Sequence, residues 1–117
     1  MEYSYLGKSG LRVSRICLGT MNFGDSMDEA TAAQVVDSAR AAEVNFIDTA
    51  DAYVGGASET IVGKLIEKDR DNWVLATKVG QQDGKPQRKM GLSRKWIMEA
   101  IDKSLSLIHI SEPTRPY

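Results

Sequence analysis

The chain has 117 residues, 42% apolar and 26% charged, with 15 basic against 16 acidic side chains and a formal charge of −1. That length suits at most one modest domain, and the absence of a cationic excess argues against nucleic acid or a membrane surface as partners. The single cysteine, Cys17, cannot close an internal disulfide, no apolar run approaches the ~20 residues of a spanning helix, and no basic-then-apolar leader opens the chain, so a cytoplasmic location is expected.

Taken in chain order, Tyr3-Ser4-Tyr5-Leu6 and Leu11-Arg12-Val13-Ser14-Arg15 flank Gly7-Lys8-Ser9-Gly10, and their period-two alternation predicts a hairpin. Ile16-Cys17-Leu18 predicts a short strand covered on both faces, with Cys17 an inert core thiol. Ser26-Met27-Asp28-Glu29 has the form of a capping box opening a helix with Ala32, Val35, Val36, Ala39 and Ala42 inward. A second strand over residues 44–50 leads through Gly55-Gly56 to a helix starting at Ser58, with Ile61, Val62, Leu65 and Ile66 as its inner stripe. Residues 73–79 read as a third strand. Gly80 to Gly91 reads as an exposed loop, and Ser93 caps a third helix that presents Ile97, Ala100, Ile101 and Ser104 on one face. Trp73 and Trp96 are expected to pack. Strands alternating with helices imply a parallel sheet, of Rossmann type or as part of an eight-fold barrel. A barrel needs ~250 residues, so three units would be fewer than half of one.

After Ser104 the helix is expected to finish. Residues 105–117, with two of the chain's three prolines, read either as a short strand and frayed tail or, the preferred reading, as a non-native tail. The run Leu105 to Arg115 matches what one frame of a common sequencing adapter encodes. The domain division is therefore 1–104 and 105–117. His109, the only histidine, is left out of the site.

In parallel α/β folds ligands collect at the carboxyl ends of strands. There the sequence places Gly19-Thr20-Met21, Asp48-Thr49-Ala50-Asp51-Ala52-Tyr53 and Thr77-Lys78. A free phenol is a reluctant proton donor at neutral pH, a nearby ammonium favours its ionised form, and an aspartate keeps that ammonium charged. Such a trio suits proton transfer to or from an oxygen. Each member alone has an ordinary explanation: Asp48 as a turn cap, Tyr53 as a half-buried aromatic, Lys78 as a surface charge. No G-x-G-x-x-G and no P-loop motif lies after any strand.

Residues 5–14, 18–24, 46–53 (Phe-Ile-Asp-Thr-Ala-Asp-Ala-Tyr), Ser58-Glu59 with Val62-Gly63, and Ala76-Thr77-Lys78 resemble, in order, the aldo-keto reductase family. The detail is most similar to bacterial members of the group that includes the potassium-channel β-subunits. The resemblance implies an N-terminal β-hairpin followed by the first three βα units of a TIM (β/α)8 barrel, truncated. It also implies an NADP(H)-dependent oxidoreductase acting on a small carbonyl or alcohol substrate. By position Tyr53 would be the proton donor, Lys78 its charged neighbour and Asp48 the partner of that lysine. Gly19, Thr20 and Met21, with Asp48, would border the nicotinamide ribose; no metal is expected. The family's fourth catalytic residue, a histidine after strand four, would fall beyond this chain, so residues 1–117 alone are expected to be unstable and inactive. The alternative on the same scaffold is a non-catalytic nicotinamide-sensing subunit, and a third possibility is an independent α/β binding module.

Overall fold

A computed structural model describes residues 1–80 and 91–109. The chain opens with antiparallel strands β1 (Tyr3–Tyr5) and β2 (Arg12–Ser14), Tyr3 opposite Ser14 and Tyr5 opposite Arg12, as the alternation predicts. Gly7 and Gly10 in the reversal take φ of 58° and 80°, left-handed values that cost glycine no steric penalty. The hairpin is fastened to the main sheet by Asn45. Its side-chain carbonyl accepts from the Ser14 amide at 2.7 Å, and its amide group donates to the Arg12 carbonyl at 3.0 Å.

Strands β3 (Leu18–Gly19), β4 (Phe46–Asp48) and β5 (Val74–Ala76) form a parallel sheet in that order, with Leu18 beside Ile47 and Ile47 beside Leu75. Helices α1 (Glu29–Ala41) and α2 (Ala57–Ile66) connect them, and α3 (Arg94–Ile108) comes after β5. One core joins the sheet to α1 and α2: Ala32, Val36, Ile47, Val62 and Ile66 are essentially inaccessible, with Phe23, Val44 and Trp73 around them. Arg40 of α1 ties the same layer together at its rim. It grips both Asp69 oxygens (2.7 and 3.1 Å), donates to the Leu65 carbonyl at 2.9 Å, and lies 5.8 Å from the Trp73 ring centroid. On α2, Gly63 lets α3 approach closely, since a Cβ there would stand 2.7 Å from the Leu107 and Ile108 carbonyl oxygens.

Several sequence expectations are corrected. Ile16 and Cys17 precede β3 and are exposed, so Cys17 is not a core thiol. Only one side of the sheet carries helices among the described residues, and successive side chains alternate between sides. Leu18, Ile47 and Leu75 pack on the helix side, whereas Cys17, Phe46 and Val74 fall on the other, Cys17 exposed and the latter two half-buried. The cap of α1 is Asp28, whose carboxylate accepts from the Thr31 amide at 2.8 Å, not Ser26. Ser93 does cap α3, accepting from the Trp96 amide, but α3 continues four residues past Ser104, so residues 105–108 are helix and no strand begins there. Most of the loop expected between Gly80 and Gly91, and the tail from Ile110, lie outside the described residues. No helix among the described residues is long and apolar enough to cross a membrane.

Candidate active site

The three parallel strands end at one level, and the register places the residues just beyond each of them. Asp48 closes β4 beside Gly19 and Ala76, and period two puts its side chain opposite to Ile47, on the side without helices. Lys78, two residues past Ala76, points the same way. Hydrogen bonds prolong the β4–β5 pairing past the strands: the Thr49 amide donates to the Ala76 carbonyl at 2.8 Å and the Asp51 amide to the Lys78 carbonyl at 3.1 Å. Lys78 is thereby fixed at its backbone beside the Asp48–Tyr53 loop.

At the side-chain end, Lys78 Nζ lies 2.8 Å from both Asp48 carboxylate oxygens and donates to the Thr49 carbonyl at 2.6 Å. It also stands 4.9 Å from the Tyr53 ring centroid. Burial alone would lower the Lys78 pKa. Hydrogen bonding with Asp48 and then Tyr53, together with their charge, outweighs it and holds the ammonium above the ordinary lysine range. The side chains of Lys78 and Asp48 remain 47% and 40% exposed. A pair that accessible adds little to stability, about 0.2–1 kcal/mol.

Tyr53 begins a tight turn, Tyr53–Gly56, in which Val54 (φ 51°), Gly55 (φ 61°) and Gly56 (φ 98°) all adopt left-handed backbone. For a β-branched residue that is strained. The strain sits immediately after the phenol, and Gly56 serves as the N-cap of α2.

The other expected residues divide. A methyl group in place of the Gly19 hydrogen would meet no atom within 4 Å, so there is free space beside Asp48. Met21 is 62% exposed. The Thr20 side chain, by contrast, is buried on the helix side. Its hydroxyl donates to the Asp48 carbonyl at 3.0 Å, leaving only its main chain for a ligand. Cys17 shares the open side with the pair. Its thiol is held above the ordinary range by partial burial, then by the Asp48 charge, with the Lys78 ammonium opposing. His109 ends α3, its amide donating to the Leu105 carbonyl, and is not part of the trio.

Sequence reading singled out Thr20 and Ser58-Glu59 but not the hydrogen-bonded network they form behind the site with Thr49 and Thr77. Thr49 Oγ1 lies 3.0 Å from Ser58 Oγ, Ser58 Oγ lies 2.8 Å from the Thr20 carbonyl and 2.9 Å from Thr20 Oγ1, and Thr77 donates to Glu59 at 2.8 Å. The available signal was a threonine adjoining the site residue at each strand end, Gly19-Thr20, Asp48-Thr49 and Thr77-Lys78.

Residues 15–113 match the profile of the aldo/keto reductase family over most of the chain. The chain belongs to that family. An uncharacterized oxidoreductase of Bacillus subtilis, YrpG, is 44% identical over 117 aligned positions, covering 90% of this chain and 36% of that protein. Among solved structures, the aldo-keto reductase AKR11C1 of Bacillus halodurans in its holo form superposes with a TM-score of 0.80 at 36% identity, covering 92% of this chain and 36% of its own. PA4992 of Pseudomonas aeruginosa gives the same TM-score and identity, over 91% of this chain and 42% of its own. The chain thus spans 36% of the length of the Bacillus subtilis relative.

Proposed function

We propose that this chain is the N-terminal hairpin and first three βα units of a (β/α)8 barrel whose complete form is an NADP(H)-dependent oxidoreductase for a small carbonyl or alcohol substrate. The observation that carries the reading is the Lys78 ammonium, seated on both oxygens of Asp48 and against the Tyr53 ring at the ends of two adjacent parallel strands. Tyr53 Oη is the proton donor to the carbonyl oxygen during reduction and takes a proton back during oxidation. The Lys78 ammonium stabilises the phenolate left behind, and Asp48 keeps that ammonium charged and aimed.

The residues present fit one end of the cofactor. The free space beside Gly19 adjoins Asp48 and the exposed Met21, so a ribose could lie there against the main chain of Gly19 and Thr20. When bound, the nicotinamide supplies or accepts the hydride. The test uses the completed protein with NADPH and 4-nitrobenzaldehyde. Conversion to the alcohol with stoichiometric loss of NADPH is expected. Tight NADPH binding without turnover of this or other aldehydes would instead favour a nicotinamide-sensing regulatory subunit.

A further inference from the structure

The Asp48–Lys78 pair occupies one side of the sheet, and a row of hydrogen-bonded side chains lies on the other. Thr20, Thr49 and Thr77 each come directly after a registered residue (Gly19, Asp48, Ala76), so they form one row a single step beyond the strands. Alternation turns their side chains toward the helices, where the first turn of α2 meets all three. Ser58, fully buried, shares its hydroxyl proton between the Thr20 carbonyl and Thr20 Oγ1, which leaves Thr49 Oγ1 to donate to Ser58. Glu59, 1% exposed, accepts from Thr77 Oγ1. Glu59 lies in the first turn of α2, near the positive end of the helix dipole.

Resting on the function proposed above, we propose that Ser58 and Glu59 are positioning residues that set where the Lys78 ammonium stands relative to Asp48 and Tyr53. Each residue that holds Lys78 is tied to this turn through a threonine: Thr49 directly, Asp48 through Thr20, and the Lys78 main chain through Thr77. The Thr49 carbonyl accepts from Lys78 Nζ while the Thr49 hydroxyl is bound to Ser58. The Asp48 carbonyl takes both the amide and the hydroxyl of Thr20, whose hydroxyl oxygen also meets Ser58. Thr77 immediately precedes Lys78 and is held by Glu59. The same helix turn comes directly after Tyr53–Gly56, so one rigid element references all three members of the trio. A buried carboxylate is costly unless hydrogen-bonded, and an apolar side chain would pack the same space without that cost. A fully satisfied polar row does what apolar packing cannot, which is to specify one position.

The test uses the completed protein, isosteric Thr77→Val and Thr77→Ser, which restores a hydroxyl. Thr77→Val is expected to lower kcat with 4-nitrobenzaldehyde between about tenfold and a hundredfold, the scale of small misplacements at a reacting centre. KM for NADPH should stay unchanged, and Thr77→Ser should recover most of kcat. Independently of turnover, the Lys78 side chain, which faces Asp48, Tyr53 and Cys17, is titrated by NMR at its labelled Cε. In Thr77→Val the midpoint is expected to fall back toward that of an ordinary lysine, and in Thr77→Ser to stay at the wild-type value. Should Thr77→Val not fold, Ser58→Ala gives the same measurement, because it frees Thr49. A Lys78 titration identical to wild type in these folded variants would overturn the inference. A shifted titration in a protein with no reductase turnover would leave the positioning intact and remove the proposed function.

Discussion

Lys78 is held at three points although nearly half its side chain meets solvent. In the completed protein Lys78→Met, which keeps the stem and deletes the charge, should cut kcat about 10²- to 10³-fold, the usual loss when one preorganised electrostatic group is removed. NADPH binding, followed by quenching of protein fluorescence, should persist. An unchanged kcat would exclude Lys78 from the chemistry. Asp48, Tyr53 and Lys78 were legible in the sequence because each lies within a few residues after a strong strand signal. The shared side of the sheet for Asp48 and Lys78 is a consequence of period two alone. The threonine row behind them was not legible as a unit, since its partners Ser58 and Glu59 come from a helix whose rotation over the sheet no local pattern specifies. Cys17 was misplaced for a related reason. An apolar run of three looks doubly covered, but the helices lie on one side and Cys17 faces the other.

At the scale of elements, the strand–helix order was readable from periodicity, and the boundaries moved where two local signals competed. Ser26-x-x-Glu29 and Asp28-x-x-Thr31 both describe an N-cap. The Gly24 amide donates to the Met27 carbonyl, closing a turn that leaves Ser26 outside and Asp28 at the helix start. At the opposite end of α1, Arg40 joins α1 to the Leu65 carbonyl and to Asp69 ahead of β5. The Arg40 hydrogen bonds hold the Asp69 carboxyl below the ordinary carboxylate range, against the effect of burial. A carboxyl lowered in the folded state stabilises above its unfolded pKa of ~3.9, and that contribution is lost as pH falls through the lowered value. Arg40→Met in the completed protein is therefore expected to cost about 1.5–3 kcal/mol at neutral pH. The difference from wild type should shrink as pH drops below ~4. Urea denaturation at a series of pH values checks both, and a pH-independent difference would show that Arg40 acts through packing alone.

For the whole molecule, the side of the sheet that carries the site also carries half-buried Phe46 and Val74, and β3 and β5 are each paired on one side only among the described residues. Unpaired strand edges and exposed apolar side chains favour association over a unique fold. Residues 1–117 alone are expected to show no cooperative thermal transition by circular dichroism, to bind a hydrophobic dye, and to oxidise no NADPH. A sharp, concentration-independent melt would mark an independently folding module instead. The central claim, that the trio of acid, phenol and amine delivers a proton to a carbonyl oxygen, is tested most directly by comparing wild type with Tyr53→Phe in the completed protein. With NADPH bound equally by both, the account predicts that single-turnover reduction of 4-nitrobenzaldehyde slows by about 10²- to 10⁴-fold in Tyr53→Phe, the contribution of a positioned general acid. Equal rates in the two proteins would contradict it.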